Sequence, residues 1–509
     1  MYPKLHHPPK PKNPSLPPGS TTVKHQSKRS LPLRYHIAVV LILFMFLIPL
    51  LFFLATTIFV TIFPSPPCFN SLNRSSFINP SNELLSEEKL ITVGFCRNLI
   101  DGAANVSTLG GNGGEENGSH VGGICCDRTQ NQTDICYMKG DIRTGSGDKP
   151  LSIFLYNVYS REHLADEKIR PYTKKSEESI MSTIDELTLV PISKNDAMVD
   201  NSRKKCDVRH EVPAVVLSAG GYTGNVYNDF NDGLIPLYLT TERFKGEVVL
   251  LVLDHQSRWM SRYENVIKNI SKYEIIKLGI DRRVYCFPEM IVGLKFHGEL
   301  SIDPQLMPNG IHNFQALLYE SFGTTKTTTA VDKGSTELRS SLHEVPRRQK
   351  PKLTMLIRKE SRVILNLGKV TRLCKKIGFQ VKIITPEPDI PLSDIHNALS
   401  TSDVMVAVHG TAMTHFMFVK PGSVLVQIVP LGLNWAADEY YGQPARKLGL
   451  EYVEYQIERS ESSLSKKYGP QDSVISNPKK INRKGWDKTK NIYLGNQNIT
   501  LDVHRFDYW

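Results

Sequence analysis

One segment constrains the fold of this chain more than any other: residues 404–430, VMVAVHGTAMTHFMFVKPGSVLVQIVP. Its first five residues are apolar, a run short enough for a buried strand. His409-Gly410 ends the run, and a helical pattern follows over residues 411–419. Pro421-Gly422 stops that helix, and a second apolar strand covers residues 424–429. Strand, short helix and strand in this order require a crossover between parallel strands. A turn of small residues between a strand and a helix start is also an anion site. The first helical amides lack internal partners and lie at the positive end of the dipole. His409 stands at that turn, on the edge of an open parallel sheet where ligands bind. A core histidine closing a buried strand is the alternative reading; its place before Gly410 favours a ligand contact. His415, inside the helix, reads as packing.

The same alternation extends back through the last third of the chain. Strands are predicted over residues 353–357 and 380–385, and helices over 361–377, 392–399 and 435–448. Together these predict a doubly wound parallel sheet within residues 351–509. Arg358 and Arg362 follow the first of these strands, four apart at a predicted helix start, so they can point the same way. Arginine grips phosphate oxygens with a planar fork. Two arginines, a helix start and a histidine on one sheet edge suit a nucleotide diphosphate. The competing reading pairs the arginines with Glu360 or Asp394 as surface charges.

An earlier α/β domain is predicted over residues 151–350, its final residues from 323 forming a polar linker. Strand candidates are 214–218, 248–253 and 284–287. After the first comes GGYTGNVYNDFND, residues 220–232. Its carboxylates Asp229 and Asp232 are three apart in a turn facing a cleft, and either can accept a proton from a hydroxyl. An Asx-type turn or helix cap is the plainer alternative. Asp254, at the end of the second strand, is a further candidate.

Residues 37–63 carry no charge for 27 residues, enough to span a bilayer. Residues 1–36 hold seven Lys or Arg, eight Pro and no acid. A basic N-terminal flank keeps that end cytoplasmic, which predicts a single-pass anchor with a luminal remainder. Residues 64–150, rich in Asn, Gly and Ser, read as a stem, ordered near its end over 126–143. Without the tail's seven basic residues, 55 basic side chains stand against 51 acidic ones, a net of +4 that leaves no nucleic-acid footprint. Asn-x-Ser/Thr acceptors occur at Asn73, Asn105, Asn117, Asn131, Asn269 and Asn498, all beyond the span. Eight cysteines suit an oxidising lumen, with connectivity open and Cys374 read as a buried thiol. Dinucleotide, P-loop and nucleophile-elbow motifs are absent from the sequence, as is Asp-x-Asp. Without that acidic pair, arginines and dipoles are expected to neutralise a diphosphate, and no metal is expected.

Several short stretches, taken as a set, resemble plant members of glycosyltransferase family 61. They are Arg170-Pro-Tyr172, Val212-Pro-Ala-Val-Val216 with Gly220-Gly-Tyr-Thr-Gly224, and Asp303-Pro304 with His312-Asn-Phe314. They continue in Arg358-Lys-Glu-Ser-Arg362, His409-Gly410 with Thr414-His415, Pro421-Gly422, Gln427-Ile-Val-Pro430, Trp435-Ala-Ala437 and Lys484-Gly-Trp486. The resemblance spans about residues 124–509. Many members have Ala-Gly-Leu where this chain has Thr411, Ala412 and Met413, and many have histidine at Asn228. The resemblance implies a GT-B fold of two Rossmann-like domains facing a cleft. It also implies a Golgi-anchored, inverting, metal-independent enzyme using a UDP-pentose, most similar to the arabinosyl- and xylosyltransferases of xylan. Arg358, Arg362 and His409 would then hold the diphosphate, with Gly410, Thr411 and Ala412 lining the turn. Asp232 is the preferred base, ahead of Asp229 and Asp254. Transfer to glycoproteins is the alternative within enzymes. An inactive carbohydrate-binding scaffold in a Golgi synthase complex is the alternative outside them.

Overall fold

The computed structural model describes residues 123–146, 149–158, 165–193, 205–323 and 350–508. The basic tail, the uncharged run 37–63, most of the stem, the linker 324–349 and Asn73, Asn105 and Asn117 lie outside these residues. Among the described residues no helix is long and apolar enough to cross a membrane.

Two β-sheets organise the chain. The first contains β1 (Gly123–Asp127), β2 (Ile135–Thr144), β3 (Leu151–Val158), β4 (Glu167–Ile169), β5 (Leu187–Ser193), β6 (Val208–Arg209), β7 (Ala214–Ser218), β8 (Val249–Leu253), β9 (Ile276–Lys277) and β10 (Tyr285–Val292). Its main path runs β4-β5-β3-β2-β10-β7-β8-β9, with β1 beside β2 and β6 beside β10. The run β10, β7, β8 and β9 is parallel. β2 pairs antiparallel with both β10 and β3.

This sheet differs from the doubly wound expectation in two ways. It begins at Gly123, inside the stretch read as a stem, and β2 lies at its centre. Its faces are also unlike. Val215, Leu217, Leu250 and Val252 pack under the helices of residues 230–239, 259–270 and 311–322. Val216, Leu251, Leu253 and Met290 on the other face pack with Ile142, Ile153, Leu155 and Leu189, all strand residues. The long β2–β3–β5 extension therefore occupies the place where a second helical layer would sit. Cys126–Cys136 joins directly paired residues of β1 and β2, and Cys206–Cys286 ties the β6 flank to β10. Cys125 is also disulfide-bonded.

The second sheet contains β11 (Lys352–Leu356), β12 (Gln380–Ile384), β13 (Val404–Val408), β14 (Val424–Val429) and β15 (Glu451–Gln456), in the order β12-β11-β13-β14-β15. All four pairings are parallel. Leu353, Met355, Val406 and Val408 face Val370 and the buried free thiol Cys374 of the helix Leu367–Ile377. Leu356, Met405, Ala407 and Leu425 face the helix Leu392–Leu399 and the first lobe. Here the expected doubly wound sheet is present, and the strand order reverses between β11 and β13.

One continuous apolar core joins the lobes. Phe418 is fully buried against Phe230 and Phe322 of the first lobe, with ring centroids 6.1 and 5.6 Å away. Polar contacts fix the register across it. Gln315 Nε2 donates to the carbonyls of Met417 and Val419 at 3.0 and 2.8 Å, and the Tyr319 hydroxyl donates to that of Phe418. The sites on each sheet are thereby held across a packed boundary rather than a loose hinge.

Candidate active site

Arg358 leaves the end of β11 and His409-Gly410 leaves the end of β13, on the two sides of the strand-order reversal. The helix expected from residue 361 begins only at Leu367. Residues 358–366 form a loop, so the two arginines converge through loop geometry rather than helical spacing. Arg362 sits in the left-handed region, φ +56°, a conformation that costs an L-residue about 1–2 kcal/mol. Its amide donates to the Gln497 carbonyl at 2.6 Å, and the next amide donates to Asn498 Oδ1 at 3.0 Å. Gln497 is itself buried, bonded to Leu431 on both backbone groups and to Ser462. The strained loop is thus pinned by a segment 135 residues further along the chain.

Both guanidinium groups crowd Gly410. A Cβ there would lie 2.8 Å from Arg358 Nη1 and 3.0 Å from Arg362 Nη1, and the glycine φ is +149°. Any side chain would be strained and would push the arginines apart. Arg358 Nε donates to the Ser361 carbonyl at 2.9 Å and Arg362 Nη1 to the His409 carbonyl at 3.0 Å. Arg362 Nε is buried with no hydrogen-bond partner among the described residues.

Neither arginine is the surface charge of the competing reading: Arg362 is 8% exposed and Arg358 half-buried. Among the described residues no carboxylate lies within ion-pair distance of either, so the pairing with Glu360 or Asp394 does not form. Two desolvated like charges without a counter-ion cost several kcal/mol. Burial, then repulsion from Arg358, pulls Arg362 down to about 9. Burial likewise lowers Arg358. A bound anion would relieve both effects.

His409 is buried, and its ring meets Tyr441 edge-on at 5.4 Å. Its tautomer follows from its neighbours. The Tyr452 hydroxyl donates to Gln427 Oε1 at 2.8 Å, which turns the amide nitrogen toward His409 Nδ1 at 2.7 Å. Nδ1 then accepts and Nε2 carries the proton. Burial, reinforced by Arg362 and Arg358, pushes the imidazole down to about 3, so it is a neutral donor. Thr411 and Ala412 open a tight 3-10 helix, Thr411–Phe418, in place of the expected α-helix. His415 packs within it, its Nδ1 2.9 Å from the Ala412 carbonyl.

The predicted carboxylates stand on the first lobe. The chain after β7 widens into a π turn over Asp229–Leu234. Asp229 is structurally committed: one oxygen accepts from the Gly224 amide at 2.8 Å, the other from the Tyr263 hydroxyl at 2.9 Å. Burial pushes it up to about 6. Asp232, 2% exposed, accepts from Asn228 and Asn231 at 2.7 and 2.8 Å and lies 3.3 Å from Lys174 Nζ. Burial raises its pKa and Lys174 opposes that rise. Asp254 ends β8 with φ +48° and accepts from Ser218 Oγ at 2.6 Å, apart from the π turn.

The two groups meet through aromatic rings. Tyr227, on the turn carrying Asp229 and Asp232, packs edge-on to Tyr440 and Tyr441 at 5.7 and 6.0 Å. Those tyrosines occupy a second π turn, Asp438–Gly442, inside the helix expected over 435–448. Lys174, Tyr227, Tyr441 and Gln427 were not picked out as site residues in the sequence. Gln427 had a usable signal, a polar side chain in the apolar strand VLVQIV, fully buried here. The tyrosines carried none. Of the acceptor asparagines, Asn131 and Asn269 are exposed and Asn498 is half-buried.

Known proteins share this sequence pattern. A family model for glycosyltransferase 61 matches residues 249–426. The xylan glycosyltransferase MUCI21 of Arabidopsis thaliana is 44% identical over 387 residues, covering 75% of this chain and 77% of its own. The β-1,2-xylosyltransferase XYXT1 of Oryza sativa subsp. japonica is 33% identical over 397 residues, covering 75% and 82%. The α-1,3-arabinosyltransferase XAT2 of the same rice is 31% identical over 382 residues, covering 75% and 62%. Among solved structures, the bacterial heptosyltransferase TibC aligns at 12% identity and a TM-score of 0.25 over 68% of this chain and 85% of its own, too remote to inform the fold. On the strength of its sequence relatives, the chain belongs to glycosyltransferase family 61 and is a glycosyltransferase.

Proposed function

We propose that the protein transfers a pentose, xylose or arabinofuranose, from a UDP-sugar to xylan with inversion at the anomeric carbon. The observation that carries the donor half is the carboxylate-free pair around Gly410, Arg362 buried and Arg358 half-buried. Such a pair suits a diphosphate and has no use in a scaffold that binds only glycans. The names of the plant relatives support the sugar and the acceptor. The two-lobed arrangement is read as GT-B.

In this mechanism the acceptor hydroxyl attacks the anomeric carbon and its proton passes to Asp232. Burial makes that carboxylate more basic than usual, while Lys174 keeps it charged. The bond from the anomeric carbon to the phosphate oxygen breaks, and its electron pair leaves with UDP. Arg358, Arg362, the His409 Nε2 proton and the opening amides at Thr411 and Ala412 receive the developing charge. These cations and dipoles take the place of a metal ion. A Golgi membrane anchor at residues 37–63, a luminal catalytic part and association with a synthase complex complete the proposal.

The test is UDP release by the purified full chain, with UDP-arabinofuranose, UDP-xylose and UDP-GlcNAc offered in turn beside xylo-oligosaccharide. Transfer of a pentose, unaffected by EDTA, is expected. Transfer only of GlcNAc, or only to a glycopeptide, would replace the acceptor reading. Dependence on added manganese would overturn the arginine mechanism.

A further inference from the structure

Beyond the ends of β14 and β15 lies an open cavity of about 830 Å³, within the size range of small-molecule sites. Trp435 and Trp486 stand on its wall, 46% and 49% exposed. Their rings meet nearly at right angles, 80° apart with centroids at 6.2 Å. Two large indole faces left open to water in one corner are unusual on a soluble surface and mark a ligand groove. The corner holds one planar apolar face and walls it with another.

Its polar lining has one sign. Arg459, Lys479 and Arg483 border the cavity, and among the described residues none has a carboxylate within ion-pair distance. Among the described residues the Arg459 side chain donates only to the Ser476 carbonyl, at 3.3 Å. A row of packed rings runs from the cavity toward the turn of Asp232. Trp435 packs on Tyr440 at 6.1 Å, and Tyr440 packs on Tyr227, which carries the row of rings to the turn of Asp232.

We propose that this corner is a subsite for the acceptor chain, resting on the reading that the acceptor is a polysaccharide. Pyranose rings stack their C–H faces on Trp486 and Trp435. Carboxylates on uronate side sugars pair with Arg459, Lys479 and Arg483. The row of rings aligns the chain so that a distant residue is held while another reaches the cleft.

The test is direct calorimetric binding to the full chain, without donor, of neutral xylo-oligosaccharide and of the same oligosaccharide carrying glucuronate. UDP affinity is measured beside them. Trp486→Ala should weaken both glycans about three- to tenfold and leave UDP unchanged. Lys479→Gln with Arg483→Gln should weaken only the uronate-bearing glycan, an effect that shrinks with added salt. Unchanged glycan affinity in variants that still bind UDP overturns the subsite. Loss of UDP affinity in Trp486→Ala overturns it too, and gives the rings to the nucleobase. If the wild-type chain binds neither glycan, the subsite fails whatever the transfer assay shows. If it binds them but transfers no sugar to them, the subsite stands and the proposed reaction falls.

Discussion

The two sheets of this molecule solve the same problem differently. The second is parallel throughout, five strands of five or six residues with helices on both faces. The first is mixed, parallel along β10, β7, β8 and β9 and again between β3 and β5 with antiparallel β2 between them, and it covers its outer face with its own β2–β3–β5 extension. The contrast extends to the sites. The second lobe concentrates positive charge that, among the described residues, has no carboxylate beside it: Arg358 and Arg362 donate only to neutral oxygens. The first places carboxylates that are already satisfied, Asp229 by Gly224 and Tyr263, Asp232 by asparagines and Lys174. A site with uncompensated charge suits the anion proposed above, which arrives and leaves. A satisfied one keeps a group at a fixed position and basicity.

This division of labour can be broken by experiment. The largest effect is expected from Asp232→Asn, which should lower turnover by about 10²–10⁴ with UDP affinity nearly unchanged. Full turnover would remove Asp232 as the base and bring Asp254 forward. Arg358→Ala should do the reverse. Charge-assisted bonds to phosphate contribute about 1.5–3 kcal/mol, so UDP affinity should fall roughly tenfold to a hundredfold in a protein that melts cooperatively. Unchanged affinity would dissolve the contrast between the lobes.

A smaller effect concerns Asp229. Its folded-state pKa, about 6, lies above the ordinary carboxylate value. The native state therefore holds a proton that the unfolded chain releases, and this group costs stability as pH rises from about 4 to 6. The shift bounds the cost at about 3 kcal/mol. Asp229→Asn should remove this contribution, making the slope of unfolding free energy against pH less negative across that window. Chemical denaturation at intervals from pH 4 to 7 measures it, and an unaltered slope would mean that Asp229 is ionised throughout. The smallest expected effect is none at all. His409 stays neutral, so UDP-xylose affinity should be flat from pH 5.5 to 7.5. Tightening as pH falls through the ordinary histidine range would show that His409 takes up a proton on binding.

The difference between the sheets also explains what was legible in the sequence. Strands packed on both faces read as nearly continuous apolar runs, and residues 214–218, 404–408 and 424–429 match β7, β13 and β14. β5 alternates between buried and half-buried positions and contains a proline, while β2 carries Lys139, Asp141 and Arg143. No apolar run marks either, so the sequence carries no local signal for the extension they form. The arginines and His409 were legible because a strand end followed by small or cationic residues has few other uses. Their burial was not, because it depends on Gln497 and Asn498. The ring contacts of Tyr227 and Tyr441 arise from two π turns in different lobes, a tertiary coincidence without a local pattern.

The tie between Arg362 and Gln497 has a kinetic consequence. Local contacts close early in folding, while a contact spanning 135 residues must wait for loop entropy to be overcome. The parallel sheet and its crossovers can assemble from nearer neighbours. The left-handed turn that aims Arg362 has no support until the distant segment docks. Loosening that segment should therefore release the Arg362 turn while the strands stay paired. Under the proposed function, donor affinity would then report the docking of that segment rather than the formation of the fold.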